Sequence, residues 1–173
     1  MTLVLRPAEY DSYYDIYISN LSAGSLTEVL TADLDMWESF FENITEESNL
    51  AAYAPGKWTV KQVIQHCIDT ERIFSTRALM FARGETQNIP GYDHELYAVN
   101  SDADNRSLAS LKSEFLALRN SSRVLFESFS KSEMKKAGTA NDKKVTVQAL
   151  AYIIPGHCIH HFKVLRRKYG LAF

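Results

Sequence analysis

Ile154-Pro155-Gly156-His157-Cys158-Ile159-His160-His161-Phe162 carries three of the chain's five histidines within five residues. The stretch lies inside a segment, Ala149 to Lys168, whose apolar residues recur with helical period. At about 100° per residue, Leu150, Ile153, Ile154, Val164 and Leu165 define one stripe, with His157 and His161 near its middle and His160 towards its edge. Residues four apart on a helix are surface neighbours, with Cβ atoms about 5–6 Å from each other. Two imidazoles aimed into a helix-packing interface need partners, because a buried polar group left unpaired costs free energy. A metal ion supplies such partners, as it does for the paired histidines of helical zinc motifs. A buried carboxylate or hydroxyl would serve as well, so the pair needs a third ligand elsewhere before it implies a metal.

Working outward, Thr146 or Val145 opens this last helix and Gly170 ends it, and Pro155 is expected to bend it just before the histidines. Three more long amphipathic helices precede it. The first starts at Leu26 behind a Ser25/Glu28 capping box, carries Val29, Leu30, Leu34, Trp37, Phe40, Phe41 and Ile44, and ends near Asn43–Glu46. The second runs from Val60, capped by Thr59 with Gln62 three residues on, to about Arg83, with Gly84 as its stop. Val63, Phe74, Ala78 and Phe81 mark its apolar face. His66 lies on the flank of that face, with Thr70, Ile73 and Arg77 near its azimuth. The third runs from Leu108 to about Ser130, with Asp104 or Asn105 as its cap and Leu111, Phe115, Leu118, Leu125 and Phe129 inward.

The remainder reads as connections. Residues 1–9 form an extended lead-in, and Tyr10, Tyr13, Tyr14 and Tyr17 recur at helical spacing, which suggests a short helix docking its rings on the bundle or on a second subunit. Residues 84–106 make a long irregular loop, a kind of segment that is often functional. Lys131–Lys144 reads as a solvated turn region. Four long helices without a strand signal give an all-α fold, a four-helix bundle spanning 1–173 as one domain.

Composition narrows the function classes. Hydrophobic residues make up 46% and charged residues 23%, as in ordinary globular chains. A net charge of −2 gives no electrostatic case for nucleic acid. No apolar run is long enough to span a bilayer, and the N-terminus does not read as a signal peptide. Cys67 and Cys158 make no disulfide framework, so a reducing cytoplasm is the expected compartment.

His66 is the third histidine that can point into a bundle beside His157 and His161. Three neutral imidazoles with an open fourth position are the layout of a catalytic metal site, able to lower the pKa of a bound water to about 7. Core histidines satisfied by hydrogen bonds remain the competing explanation at this point. Asp69 is the candidate for orienting a ligand or accepting a proton, ahead of Glu71, whose expected role is capping or surface, and His94. Cys67 and Cys158 each follow a proposed ligand at about 100° from its azimuth and are expected to pack as small apolar residues.

These residues resemble the DinB-like, or YfiT-like, four-helix-bundle family, whose members are often labelled metal-dependent hydrolases. The resemblance covers nearly the whole chain. It rests on Tyr53-Ala54-Pro55-Gly56-Lys57-Trp58-Thr59 leading to His66, on Ile68-Asp69-Thr70-Glu71-Arg72-Ile73-Phe74, on Pro90-Gly91-Tyr92-Asp93, on Asn100 to Leu108, and on Pro155-Gly156-His157 with His160-His161. The resemblance implies a metal triad of His66, His157 and His161, an unusual helix order in which the second and fourth helices meet at the metal, and a homodimer. It also implies a divalent transition metal, zinc or nickel, that activates water or a low-molecular-weight thiol for hydrolysis or transfer on a small substrate. Relatives often carry Glu after the first histidine of the pair, where this chain has Cys158. The alternative is a non-catalytic metal-binding bundle, structural or metal-sensing, and beyond that a metal-free helical interaction module.

Overall fold

The computed structural model describes residues 5–48 and 50–171, so the first four residues of the expected lead-in lie outside it. Two 3-10 turns, Pro7–Glu9 and Ser12–Tyr14, lead into α1 (Asp15–Ile18). Then follow α2 (Leu26–Asn43), α3 (Val60–Ala82), α4 (His94–Asn100), α5 (Leu108–Glu127) and α6 (Lys131–Met134). A hairpin of β1 (Ala137–Ala140) and β2 (Lys143–Thr146) joins α6 to α7 (Val147–Lys168).

The helix ends follow local chemistry. Ser25 and Glu28, and Thr59 and Gln62, form reciprocal capping boxes at α2 and α3, each satisfying two otherwise orphaned N–H groups. Thr146 caps α7 by accepting from the Ala149 N–H. Gly84 and Gly170 follow α3 and α7 at φ +96° and +66°, a conformation that costs glycine little. For α5 the expected cap was misplaced: Ser107, not Asp104 or Asn105, accepts from the Ser110 N–H. Those two residues instead sit in a 3-10 turn, Ala103–Asn105. α7 runs unbroken from Val147 to Lys168 with Pro155 inside it.

The four long helices close into a ring in which α7 packs on α2 and α3, and α5 packs on the same two. Helices consecutive in sequence, α2 with α3 and α5 with α7, therefore face each other across diagonals. A simple up-and-down bundle would instead place consecutive helices side by side. α1 docks on α7.

The core has two apolar lobes. One holds Val29, Phe74, Phe81, Phe126, Leu150 and Ile153, and the other Trp37, Phe40, Ile64, Phe115, Phe162 and Leu165. Between them each long helix contributes a buried polar residue: Asp33, Glu71, Arg119 and His157. Arg119, wholly buried, donates through Nε and Nη2 to the Glu71 carboxylate and through Nη1 to Asp33. Glu71 is thus neither a cap nor a surface residue, because its azimuth on α3 faces α5 rather than solvent.

Lys131–Lys144 also departs from expectation, since it contains α6 and most of the hairpin. Asn141 and Asp142 form a two-residue turn with φ of 51° and 60°, the left-handed pair of a type I′ hairpin. Val145 bridges to Tyr10, and Ala140 to Ile89 in the connection after α3. A Cβ on Gly138 would lie 2.1 Å from the Phe81 ring, so the hairpin rests directly on the end of α3. No described helix is long and apolar enough to cross a membrane.

Candidate metal centre

His66 on α3 and His157 and His161 on α7 converge where these two helices pack. His66 Nε2 lies 3.0 Å from His157 Nε2, and His161 Nε2 lies 3.1 Å from the same atom. All three ligand atoms fall within 4.8 Å of one another, so the set could hold a metal ion. Two zinc–nitrogen bonds of about 2.0–2.1 Å at a tetrahedral angle span about 3.3 Å, close to these separations. The chemistry of the donors points the same way. An imidazole Nε2 has a single in-plane position, either a proton or a lone pair. His157 Nε2 therefore cannot hydrogen-bond well with both neighbours at once, whereas one cation accepts all three lone pairs.

The site keeps its imidazoles neutral. Burial, reinforced by His94 and His160, pushes His66 down to about 3. Burial also holds His157 and His161 well below the usual histidine value, with the other histidines adding to it. The Trp58 ring lies 4.7 Å from that of His66 and near-parallel to that of His161 at 6.4 Å. Tyr17 meets the His157 ring edge-on at 5.1 Å. A Cβ on Gly156 would fall 2.6 Å from the Tyr17 carbonyl oxygen, so the residue before His157 is what lets the N-terminal segment close over the site.

A second donor set, Cys67, His157 and Cys158, is also compact. Arg119 Nη2 stands 3.3 Å from Cys158 Sγ, and a guanidinium there disfavours a cation. The Cys67 thiol, pushed up by burial, donates to Cys158, which this hydrogen bond and the Arg119 charge draw down. Both cysteines are fully buried and pack in the apolar lobe of Trp37, Phe40 and Ile64, as expected, and Cys158 also borders the polar layer through Arg119. The side chain at position 158 serves that layer and is not among those lining the cavity over the triad.

That cavity, of about 570 Å³, is floored by His66, His157, His161 and His160 and walled by Trp58, Thr70, Phe74, Arg77, Tyr92, Asp93, His94, Asn141 and the tyrosines Tyr13, Tyr14 and Tyr17. Of the three proton-acceptor candidates, only His94 lines it. Asp69 accepts from Gln65 Nε2 and opens on a different depression beside Arg72 and Tyr97. Sequence reasoning missed the tyrosine wall, Trp58 and Asn141 as parts of the site, because they come from the N-terminal segment and from connections and carry no fixed spacing to the histidines. Thr70 and Arg77 were visible as neighbours of His66 on its helix face.

A bundle with crossed diagonals and a three-histidine cluster beneath a cavity defines the class: helical-bundle proteins with histidines that could hold a metal ion between the second and fourth long helices. The chain belongs to the DinB superfamily, whose sequence profile matches residues 30–165. Its structure is similar to that of YfiT from Bacillus subtilis, described as a probable metal-dependent hydrolase with an unusual four-helix bundle topology. The two share 21% identity over 99% of this chain and 95% of that one, with a TM-score of 0.70, a likeness of fold. No curated protein matches the chain.

Proposed function

We propose that His66, His157 and His161 hold one divalent transition-metal ion, zinc or nickel, and that the chain is an enzyme acting on a small molecule bound in the cavity above them. The observation that carries this reading is the convergence of two imidazole nitrogens on His157 Nε2, an arrangement that hydrogen bonds alone leave half-satisfied. The name given to YfiT supports it. When bound, such an ion supplies Lewis acidity and a nucleophile, water or a low-molecular-weight thiol, of lowered pKa.

The chain's own residues do the rest. Trp58 and Tyr17 pack the imidazoles in place and keep bulk water from their flanks. His94 and His160, both facing the cavity, are positioned to take or return a proton near the triad. Burial, together with Lys163, lowers His160 and favours its neutral, basic form at neutral pH. A purely structural metal calls for a closed set of protein ligands; the open cavity favours catalysis.

The test is metal content by mass spectrometry of untagged protein, beside His66→Ala and His161→Ala. About one equivalent in the wild type, lost in both variants, is the expected result. No bound metal and no uptake of added zinc or nickel would refute it.

A further inference from the structure

Arg77 is 5% exposed and has no carboxylate partner among the described residues. Its Nη2 donates to the Pro90 carbonyl at 2.9 Å, while Nε is buried without an acceptor. Burial pushes its pKa down, and the titratable groups around it are the phenols of Tyr14, Tyr92 and Tyr13, which offer no negative charge at neutral pH. The contrast with Arg119 is direct: the same chain gives that buried guanidinium two carboxylates. A buried charge held without a counter-ion is costly, and such a cost persists where a ligand meets it. Anchoring Pro90 occupies one N–H of five and leaves the others unexplained.

Arg77 lines the triad cavity, on the same face of α3 as His66 and Thr70. Eleven residues separate it from His66, about 16 Å along the helix axis. Arginine side chains lean towards the helix N-terminus, here towards the triad, which brings the remaining gap to the order of 10 Å. The Phe74 and Tyr92 rings lie 5.9 and 6.0 Å from its guanidinium carbon and hold the fork in place. Among the described residues it is the one lysine or arginine in the cavity wall. One planar fork with a single charge matches a carboxylate; a phosphate dianion calls for more donors.

We infer that Arg77 is the specificity residue of this site and binds a carboxylate carried by the substrate at the end remote from the reacting group. The inference rests on the metal reading for what happens at the other end, but carboxylate binding at Arg77 stands without it. The substrate is then an elongated small carboxylic acid rather than a neutral ester or an amine.

The experiment compares 6-mercaptohexanoate, whose thiol can reach a metal, with its neutral amide, by calorimetry on zinc-loaded protein. Hexanoate and hexanamide are compared on metal-free protein by ligand-observed NMR. The expected result is a carboxylate preference on the order of 10- to 100-fold in the wild type, in both forms, that disappears in Arg77→Met. Zinc content, read separately by mass spectrometry, stays unchanged in that variant. Arg77→Lys keeps the charge without the fork and retains part of the preference.

Zinc uptake without carboxylate preference in the wild type overturns the Arg77 assignment and leaves the metal reading standing. Carboxylate preference without zinc uptake does the reverse. Because that comparison uses the wild type alone, a failure of Arg77→Met to fold does not shield the inference. A preference kept in a folded Arg77→Met also overturns it, as does tighter binding of the matching phosphonate.

Discussion

Metal affinity in this site should hardly depend on pH between 7 and 5. The perturbation is acidification, and its competitor for the metal is the proton. Three ordinary histidines with pKa about 6.5 are all neutral together in roughly 40% of molecules at pH 7 and in about 3 × 10⁻⁵ of them at pH 5, a loss on the order of 10⁴-fold in affinity. Here burial pushes His66 down to about 3, so at pH 5 about 99% of that imidazole is still neutral. His157 and His161 move in the same direction for the same reason. The expected fall in affinity is therefore less than about tenfold, with almost no proton released from the ligands on binding. Nickel calorimetry at pH 7, 6 and 5, in two buffers of different ionisation enthalpy at each pH, reads both quantities. A thousandfold fall, or release of two to three protons at pH 6, would show that the ligands sit in water and refute the buried-triad geometry.

The same shifts predict how the metal-free fold responds. A histidine whose folded pKa lies below its unfolded value leaves the unfolded state binding more protons, so stability falls as pH drops below about 6.5 and levels off near the folded pKa; His66 alone costs about 2 kcal/mol at pH 5. Urea unfolding in EDTA at pH 7 and 5 checks this, and equal or greater stability at pH 5 contradicts it. Arg119→Met strands the Asp33 and Glu71 carboxylates, and should lose about 3–5 kcal/mol in chemical denaturation, largely recovered when both acids are replaced by Leu. Gly156→Ala places a methyl against the Tyr17 carbonyl oxygen; a loss of about 1–3 kcal/mol is expected, together with faster proteolysis of the N-terminal segment, whereas an unchanged melting curve would mean that the segment does not close on α7. Added copper or nickel should quench emission from Trp58, whose ring lies 4.7 Å from His66, and Trp58→Phe should remove that response while Trp37 still emits.

The legible part of this chain is what periodicity and capping encode. The long helices, the boxes at Ser25 and Thr59 and the inward azimuths of His66, His157 and His161 follow from spacing that each helix imposes on itself. Glu71 and Asp69 show where that logic stops. They are two residues apart on α3, both within about a turn and a half of His66, and their fates depend on which neighbouring helix each one meets. Arg119 on α5 takes Glu71 into the core, and no local pattern on α3 foretells it. The hairpin was hidden for a different reason. Its strands are four residues long and rich in Ala, Gly and Lys, so they lack alternation, and their pairing is secured by contacts with Ile89, Tyr10 and Phe81 far away in sequence.

Asn141, at the tip of that hairpin, presses on Gly91 so closely that a Cβ there would meet its Oδ1 at 2.4 Å. The two connections that form the outer wall of the cavity are thus latched to each other, while the three imidazoles belong to helices that neither connection interrupts. The triad proposed to hold a metal and the connections that shape the rim of the cavity consequently lie on separable parts of the chain, while Arg77 stays on α3 with His66. Grafting or randomising residues 88–93 together with 139–143 amounts to changing the aperture of a vessel whose base is left alone. A library built there can be screened for altered uptake of small molecules with constant metal stoichiometry as the internal control.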